Sequence, residues 1–174
     1  VVGSGPNGLA AAIRLQQAGL SVLVLEAKGT VGGGTRTAEL TLPGFSHDIC
    51  SAIHPLALAS PFFKTLPLER HGLEYVHAPV AAAHPFDDGS AVALHSSPEQ
   101  TALGLGADER VYLQLMKPLV DSWPRIVKDV LAPLHLPEAY GPFMKFGMNA
   151  LTSARYLSRR FQTEPAKGFL AGMA

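Results

Sequence analysis

The residues best suited to chemistry stand at the start of the chain, where Gly3-Ser4-Gly5-Pro6-Asn7-Gly8 forms a G-x-G-x-x-G pattern. Glycines at this spacing have separate mechanical tasks. Gly3 allows a tight strand-to-helix turn, Gly5 lets a pyrophosphate approach the main chain, and Gly8 lets the helix pack closely on the strand. The phosphate oxygens would meet unpaired N–H groups at the helix N-terminus, where the dipole favours an anion. Pro6 and Asn7 occupy the variable positions of the same turn. Glu26 follows Gly8 by 18 positions. An acid there accepts from ribose hydroxyls and repels a 2′-phosphate, which disfavours NADP and leaves FAD and NAD undivided. A glycine-rich turn beside an ordinary surface acid is the plainer explanation, and the order, spacing and context of the residues together argue against it.

These residues need a strand, a helix and a second strand to position them. Val1-Val2 reads as the tail of a buried strand. Leu9 to Ala18 is rich in Ala, Leu and Gln, and Gly19 can close that helix. Ser21 to Leu25 is a continuous apolar run, as expected of a parallel strand covered on both faces. The expected fold is therefore α/β, a Rossmann-like βαβ unit with a right-handed crossover, joined to part of a mixed α+β domain. The composition shifts near Pro55, which suggests residues 1–54 for the nucleotide-binding part and 55–174 for a mostly helical second region. There Leu73–Ala78 and Ser90–His95 read as strands, with Asp87-Asp88-Gly89 as a turn. Asp108–Leu131 has helical spacing (Val111, Leu115, Leu119, Ile126, Val130), which Pro118 and Pro124 should kink or interrupt. Phe143–Phe161 reads as one further helix.

The run after the second strand, Glu26-Ala27-Lys28-Gly29-Thr30-Val31-Gly32-Gly33-Gly34-Thr35-Arg36, carries a resemblance. It is similar to the amine-oxidase and phytoene-desaturase superfamily of FAD enzymes, which place E-x5-G-G directly after that strand. Leu42-Pro43-Gly44-Phe45-Ser46-His47-Asp48 resembles the same superfamily's "PGF…D" stretch. The match is nearest the phytoene-dehydrogenase-like branch that includes pyridine nucleotide-disulfide oxidoreductase domain-containing proteins, and it covers roughly the first 65 residues. The resemblance implies FAD as cofactor. It adds Ala27, Lys28, Gly32, Gly33, Gly34, Thr35 and Arg36 to Gly3, Gly5, Pro6, Asn7, Gly8 and Glu26 as cofactor-binding residues. Two departures stand out. Gly34 occupies the position where many relatives have Arg, with Arg36 two residues on as a replacement cation. Cys50 follows Asp48-Ile49 where relatives often have glycine.

The remaining chemistry is sparse. The 174 residues carry 14 basic and 14 acidic side chains and no basic stripe, so nothing supports nucleic-acid binding or a polybasic membrane anchor. Apolar residues make up 47%, as in a chain with a sizeable core. No apolar run is long enough for a transmembrane helix, which leaves peripheral membrane contact and oligomeric state open. Cys50 is the only cysteine, so no redox pair exists; it reads as a small buried residue, and it leans toward a reducing, cytoplasmic setting. The seven histidines form no metal-binding spacing. His47 and His54 fall in the segment that the resemblance places near the flavin, where they are pocket or structural residues. Arg155, Arg159 and Arg160 bind an anion or simply end a helix. Phe143, Met144, Phe146 and Met148 line an apolar tunnel or belong to a core.

The leading expectation is an FAD-dependent oxidoreductase that moves a hydride from an apolar or amine-type small molecule, with no catalytic residue identifiable. Two alternatives stand beside it: a non-catalytic binding protein on the same fold, like the GDP-dissociation inhibitors, and an NAD-dependent dehydrogenase. Both ends of the chain read as cut, so the expectation is an N-terminal piece of a longer protein, inactive alone.

Overall fold

Val1 to Gly3 run extended and are tied to a second extended segment by parallel hydrogen bonds in the computed structural model, which describes residues 1–173. Val2 pairs with Leu25; the Leu25 N–H donates to the Val1 carbonyl at 2.9 Å and the Gly3 N–H to the Leu25 carbonyl at 2.7 Å. Between the two runs lies α1 (Pro6–Gln17), with proline in its first turn, where no helical N–H is lost. The helix ends as the Gly19 signal predicts. Gly19 takes φ 82°, its N–H donates to the Gln16 carbonyl at 2.9 Å, and the Leu20 N–H reaches the Leu15 carbonyl at 3.2 Å. This is a Schellman closure, which needs a residue free to adopt the left-handed region.

The strand–helix–strand order is thus a Rossmann-like α/β arrangement, with one correction. Ser21–Leu25 is not a strand covered on both faces. Leu23 is 71% and Leu25 57% exposed, and Val2, on the partner run, is 87% exposed. A parallel strand is buried only where neighbours and helices flank it. Among the described residues only Val1–Gly3 pairs with this run.

A short antiparallel pair follows, β1 (Thr37–Glu39) with β2 (Ser46–Asp48), in the register Thr37↔Asp48 and Glu39↔Ser46. Gly44 at φ 84° turns the chain between them. Then come α2 (Pro55–Ala59) and single 3-10 turns at Phe63–Thr65 and Leu68–His71. The first compact unit ends at Gly72, beyond the composition shift at Pro55. Pro55, Leu56 and Ala57 go with it because they line one cleft together with Pro6 and Gly34.

The second unit begins at Leu73 with an unpaired segment, not a strand. Its hairpin is β3 (Val80–Pro85) with β4 (Ala91–His95). The turn chooses this register. Gly89 sits at φ 83°, and the Asp88 carboxylate accepts from the Ser90 N–H and hydroxyl, so the residues just before Asp87 must pair with those just after Gly89. Leu73–Ala78 lie too far upstream to be included.

Ser97 caps α3 (Pro98–Leu103) by accepting from the Glu99 and Gln100 amides. The long α4 (Glu109–Val130) corrects another expectation, because neither Pro118 nor Pro124 interrupts it. Each proline leaves one carbonyl four residues back without a donor, at Gln114 and Val120. Both residues are exposed, so water can serve those carbonyls. Phe143–Phe161 is two helices, α5 (Tyr140–Ala150) and α6 (Ala154–Ser158). The Thr152 hydroxyl donates back to the Met148 carbonyl, and Ser153 caps the new helix at the Tyr156 amide. That Ser153 cap was the readable stop signal. The last element is α7 (Glu164–Met173).

Val92, Ala102, Leu105, Tyr112, Leu115, Phe161, Ala166 and Phe169 form the core of this unit. Phe143, Met144, Phe146 and Met148 are not part of that core; Phe146 meets Trp123 at 6.3 Å between ring centroids. Asp108 is fully buried, and its carboxylate accepts from the Gln162 N–H (2.8 Å), the Thr163 N–H (2.8 Å) and the Thr163 hydroxyl (2.6 Å). It therefore fixes the start of α7 from a distant part of the chain.

Candidate dinucleotide site

Two glycine loops of the first unit meet main chain to main chain. The Gly32 N–H donates to the Ser4 carbonyl at 2.9 Å. Gly33 lies so near Gly5 that a Cβ on Gly33 would stand 2.8 Å from the Gly5 Cα. Gly32 and Gly33 take φ of 112° and 57°, a region that favours glycine. Gly8 packs onto the Gly3 carbonyl, which leaves no room for a side chain. The two loops thus exclude side chains from each other, and they present backbone where a phosphate-bearing ligand needs it.

Gly5 is the N-cap of α1, Pro6 its first residue, and Asn7 and Gly8 complete the first turn. That turn has neither an acidic residue nor a side-chain cap, so its N–H groups are free to hold an anion. Thr35 and Arg36 face inward to their own loop. The Thr35 hydroxyl donates to the Gly32 carbonyl at 2.6 Å, and Arg36 Nε donates to the Gly33 carbonyl at 2.7 Å. Arg36 therefore braces the second glycine loop. Gly34 is exposed; its N-terminal neighbours carry the contact with Gly5, and its carbonyl accepts from Ser51 at 2.9 Å.

Glu26 leaves the second extended run and turns back onto the first loop. Its Oε2 accepts from the Ser4 N–H at 2.8 Å and the Ser4 hydroxyl at 2.5 Å, and its Oε1 from the Lys28 N–H at 2.9 Å. The Ser4 hydroxyl, then the Lys28 and Ser4 amides, lower its pKa to about 2, so the carboxylate is charged at neutral pH. Ala27 and Lys28 form the exposed turn after it.

Ser4 is the residue that sequence reasoning passed over. It is 1% exposed and joins both loops to Glu26. The available signal was a small hydroxyl at the variable position inside G-x-G. Cys50 was expected to be buried and is exposed instead, at the edge of the loop beside Gly34. His54 accompanies Ser51 (Oγ to Nδ1, 3.4 Å) on the wall of a cleft of about 440 Å³ that also includes Pro6, Gly34 and Thr35. His47 lies apart, paired with Thr41 at 2.7 Å. Among the described residues no group of His, Cys, Asp or Glu could hold a metal ion.

Residues 1–66 match the NAD(P)-binding Rossmann-like domain family. The chain is similar to a limonene dehydrogenase subunit of Castellaniella defragrans, with 36% identity over 101 residues, covering 58% of this chain and 18% of that protein. It is also similar to mouse pyridine nucleotide-disulfide oxidoreductase domain-containing protein 2, with 31% identity over 129 residues, covering 72% of this chain and 21% of that protein. The latter represents the branch to which the Glu26–Asp48 motifs pointed. The chain spans about a fifth of the length of these curated relatives. No solved structure matches it.

Proposed function

We propose that the protein is an FAD-dependent oxidoreductase of the phytoene-dehydrogenase-like type, acting on a small apolar or amine-type substrate. The observation that carries this reading is the interlock of Gly33 with Gly5, with Glu26 anchored beside it. A dinucleotide site that needs only the first loop has no use for a second glycine loop pressed against it. The names of the relatives, a dehydrogenase subunit and an oxidoreductase domain-containing protein, support redox chemistry.

In this reading the free N–H groups of Asn7 and Gly8 hold the pyrophosphate, and Gly3, Gly5 and Pro6 shape its seat. Glu26 offers its remaining acceptor position to a ribose hydroxyl. Ala27 and Lys28 border the adenosine, and Gly32, Gly33, Gly34, Thr35 and Arg36 line the pyrophosphate and flavin. When bound, FAD supplies the redox chemistry, taking a hydride from the substrate, while the protein orients and encloses it. The mostly helical region after Pro55 contributes to a substrate cap. The single cysteine suits a cytoplasmic setting, and no described helix is long and apolar enough to cross a membrane.

The test is to record the visible spectrum of the protein expressed from its whole gene, then denature it and identify the released nucleotide. FAD with a flavin spectrum is the expected result. Released NAD would replace the reading with a nicotinamide dehydrogenase, and a colourless protein that takes up no FAD would replace it with a non-catalytic binder.

A further inference from the structure

In the second unit, one side of α5, with Lys145 and Met148 exposed, borders an open groove beside α4. Lys145, Met148 and Asn149 stand at i, i+3 and i+4, and Thr152 follows at i+7, so they share one side. That side borders a cavity of 260 Å³ whose other wall is Gln114 and Leu115 of α4, with Arg160 completing it. Here Leu115 and Met148 are the apolar residues of the lining, and no carboxylate joins them.

The cavity is open to solvent, with Lys145 and Arg160 exposed at its rim, and neither cation meets an acid among the described residues. Lys117 pairs with Glu99 and Asp121, and Lys167 with Glu164, but among the described residues neither Lys145 nor Arg160 has an ion-pair partner. Gln114 and Asn149 each add an amide capable of donating. Arg160 also sits on a fixed segment. The next residue, Phe161, is 3% exposed in the core, and the Gln162 N–H is held by Asp108 at 2.8 Å. The main chain that carries Arg160 is therefore held, while its exposed guanidinium can turn toward a ligand.

We propose that this cavity binds a compact oxyanion, a phosphate or carboxylate group carried by a small molecule. The Arg160 fork matches two oxygens of such a group, and Lys145 adds a second charge. The volume is roughly nine times the ~30 Å³ that a water occupies in the liquid, room for the anion and a few carbon atoms but not for a dinucleotide. The site is independent of the glycine loops and stands whether or not the dinucleotide reading does.

Calorimetric titration of the protein with inorganic phosphate, and separately with acetate, at constant ionic strength tests the proposal. One saturable site is expected for at least one of them, and the tighter of the two tells which group the cavity prefers. Lys145→Gln and Arg160→Gln should each weaken binding at least tenfold, while Arg155→Gln, on α6 outside the cavity, should leave it unchanged. No saturable binding of either anion overturns the proposal. So does binding of equal strength in the two cavity variants, since the anion would then sit elsewhere, for example at α1.

Discussion

Both donors of Ser4, its amide at 2.8 Å and its hydroxyl at 2.5 Å, converge on one carboxylate oxygen of Glu26. Because the other oxygen accepts from Lys28, three of the roughly four acceptor positions of the carboxylate are taken before any ligand arrives. Ser4 thus sets the direction and the charge of the acid proposed to meet ribose.

Replacing Ser4 with Ala removes the largest cause of the low Glu26 pKa. The carboxyl should then titrate above about 2, closer to its ordinary value of 4.5, as followed by carboxyl NMR. The sign for stability follows from the depressed value. Glu26 stabilises the fold fully above its unfolded pKa, and that contribution is lost as pH falls through the folded one. Ser4→Ala should therefore narrow the difference in unfolding midpoint between about pH 6 and about pH 2.5; an unchanged Glu26 titration would show that the hydroxyl bond is unimportant.

Gly33→Ala tests the contact between the loops. Alanine at φ 57° costs about 1 kcal/mol for the left-handed backbone alone. Overlap with Gly5 adds the cost of moving main chain, for a total of about 2–3 kcal/mol. Gly44→Ala is the control, since it also has positive φ but nothing within 4 Å of the added carbon. It should lose only about 1 kcal/mol. Urea unfolding that finds the two variants equal would remove the interlock as an energetic feature.

Asp108→Ala should destabilise the second unit by about 2 kcal/mol, because it removes three hydrogen bonds and leaves the part-buried Gln162 and Thr163 amides without their partner. Thr163→Val, which removes one of the three donors and keeps both amides bonded, should cost about 1 kcal/mol. Burial pushes the Asp108 carboxyl up, yet the bonds from Thr163 and Gln162 outweigh it and hold the pKa below the ordinary value. Its contribution is accordingly present above the unfolded pKa and fades as pH falls. A loss under about 1 kcal/mol for Asp108→Ala in denaturant would contradict this.

The His135–Asp129 pair (3.0 Å) should produce stability limits on both sides of neutrality. The Pro133 carbonyl, then Asp129, raise the His135 pKa above 6.5, so its contribution is full below that and declines as pH rises through the raised value. The Glu138 amide leads in lowering the Asp129 pKa, and that contribution declines as pH falls through the lowered value. His135→Gln should flatten the alkaline side and, because His135 also helps to lower the Asp129 pKa behind the Glu138 and Ala139 amides, weaken the acid side to a smaller extent. Unfolding midpoints measured from about pH 3 to about pH 9 decide the matter, and an unaltered alkaline limb would rule His135 out.

The glycines and Glu26 were legible because their roles depend on backbone and local spacing, which a linear pattern records. Ser4 was not, since its partner lies 22 residues away and only the folded loops bring the two together. The long α4 was recognisable by its period, but its continuity through two prolines depended on exposure at Gln114 and Val120. The break at Leu151–Ser153 was written locally in Ser153 and was outweighed by the apolar run around it. Leu73–Ala78 had strand-like composition, and only the turn at Asp88 decides which residues pair.

The tie between Asp108 and Thr163 joins positions 55 residues apart. A contact of that separation forms late, since the entropy of closing so long a loop must be met before the bond returns anything. The Thr163 amide is consequently a reporter of completed folding. Its hydrogen exchange should track global opening of the second unit, while amides of the β3–β4 turn exchange through smaller, faster fluctuations.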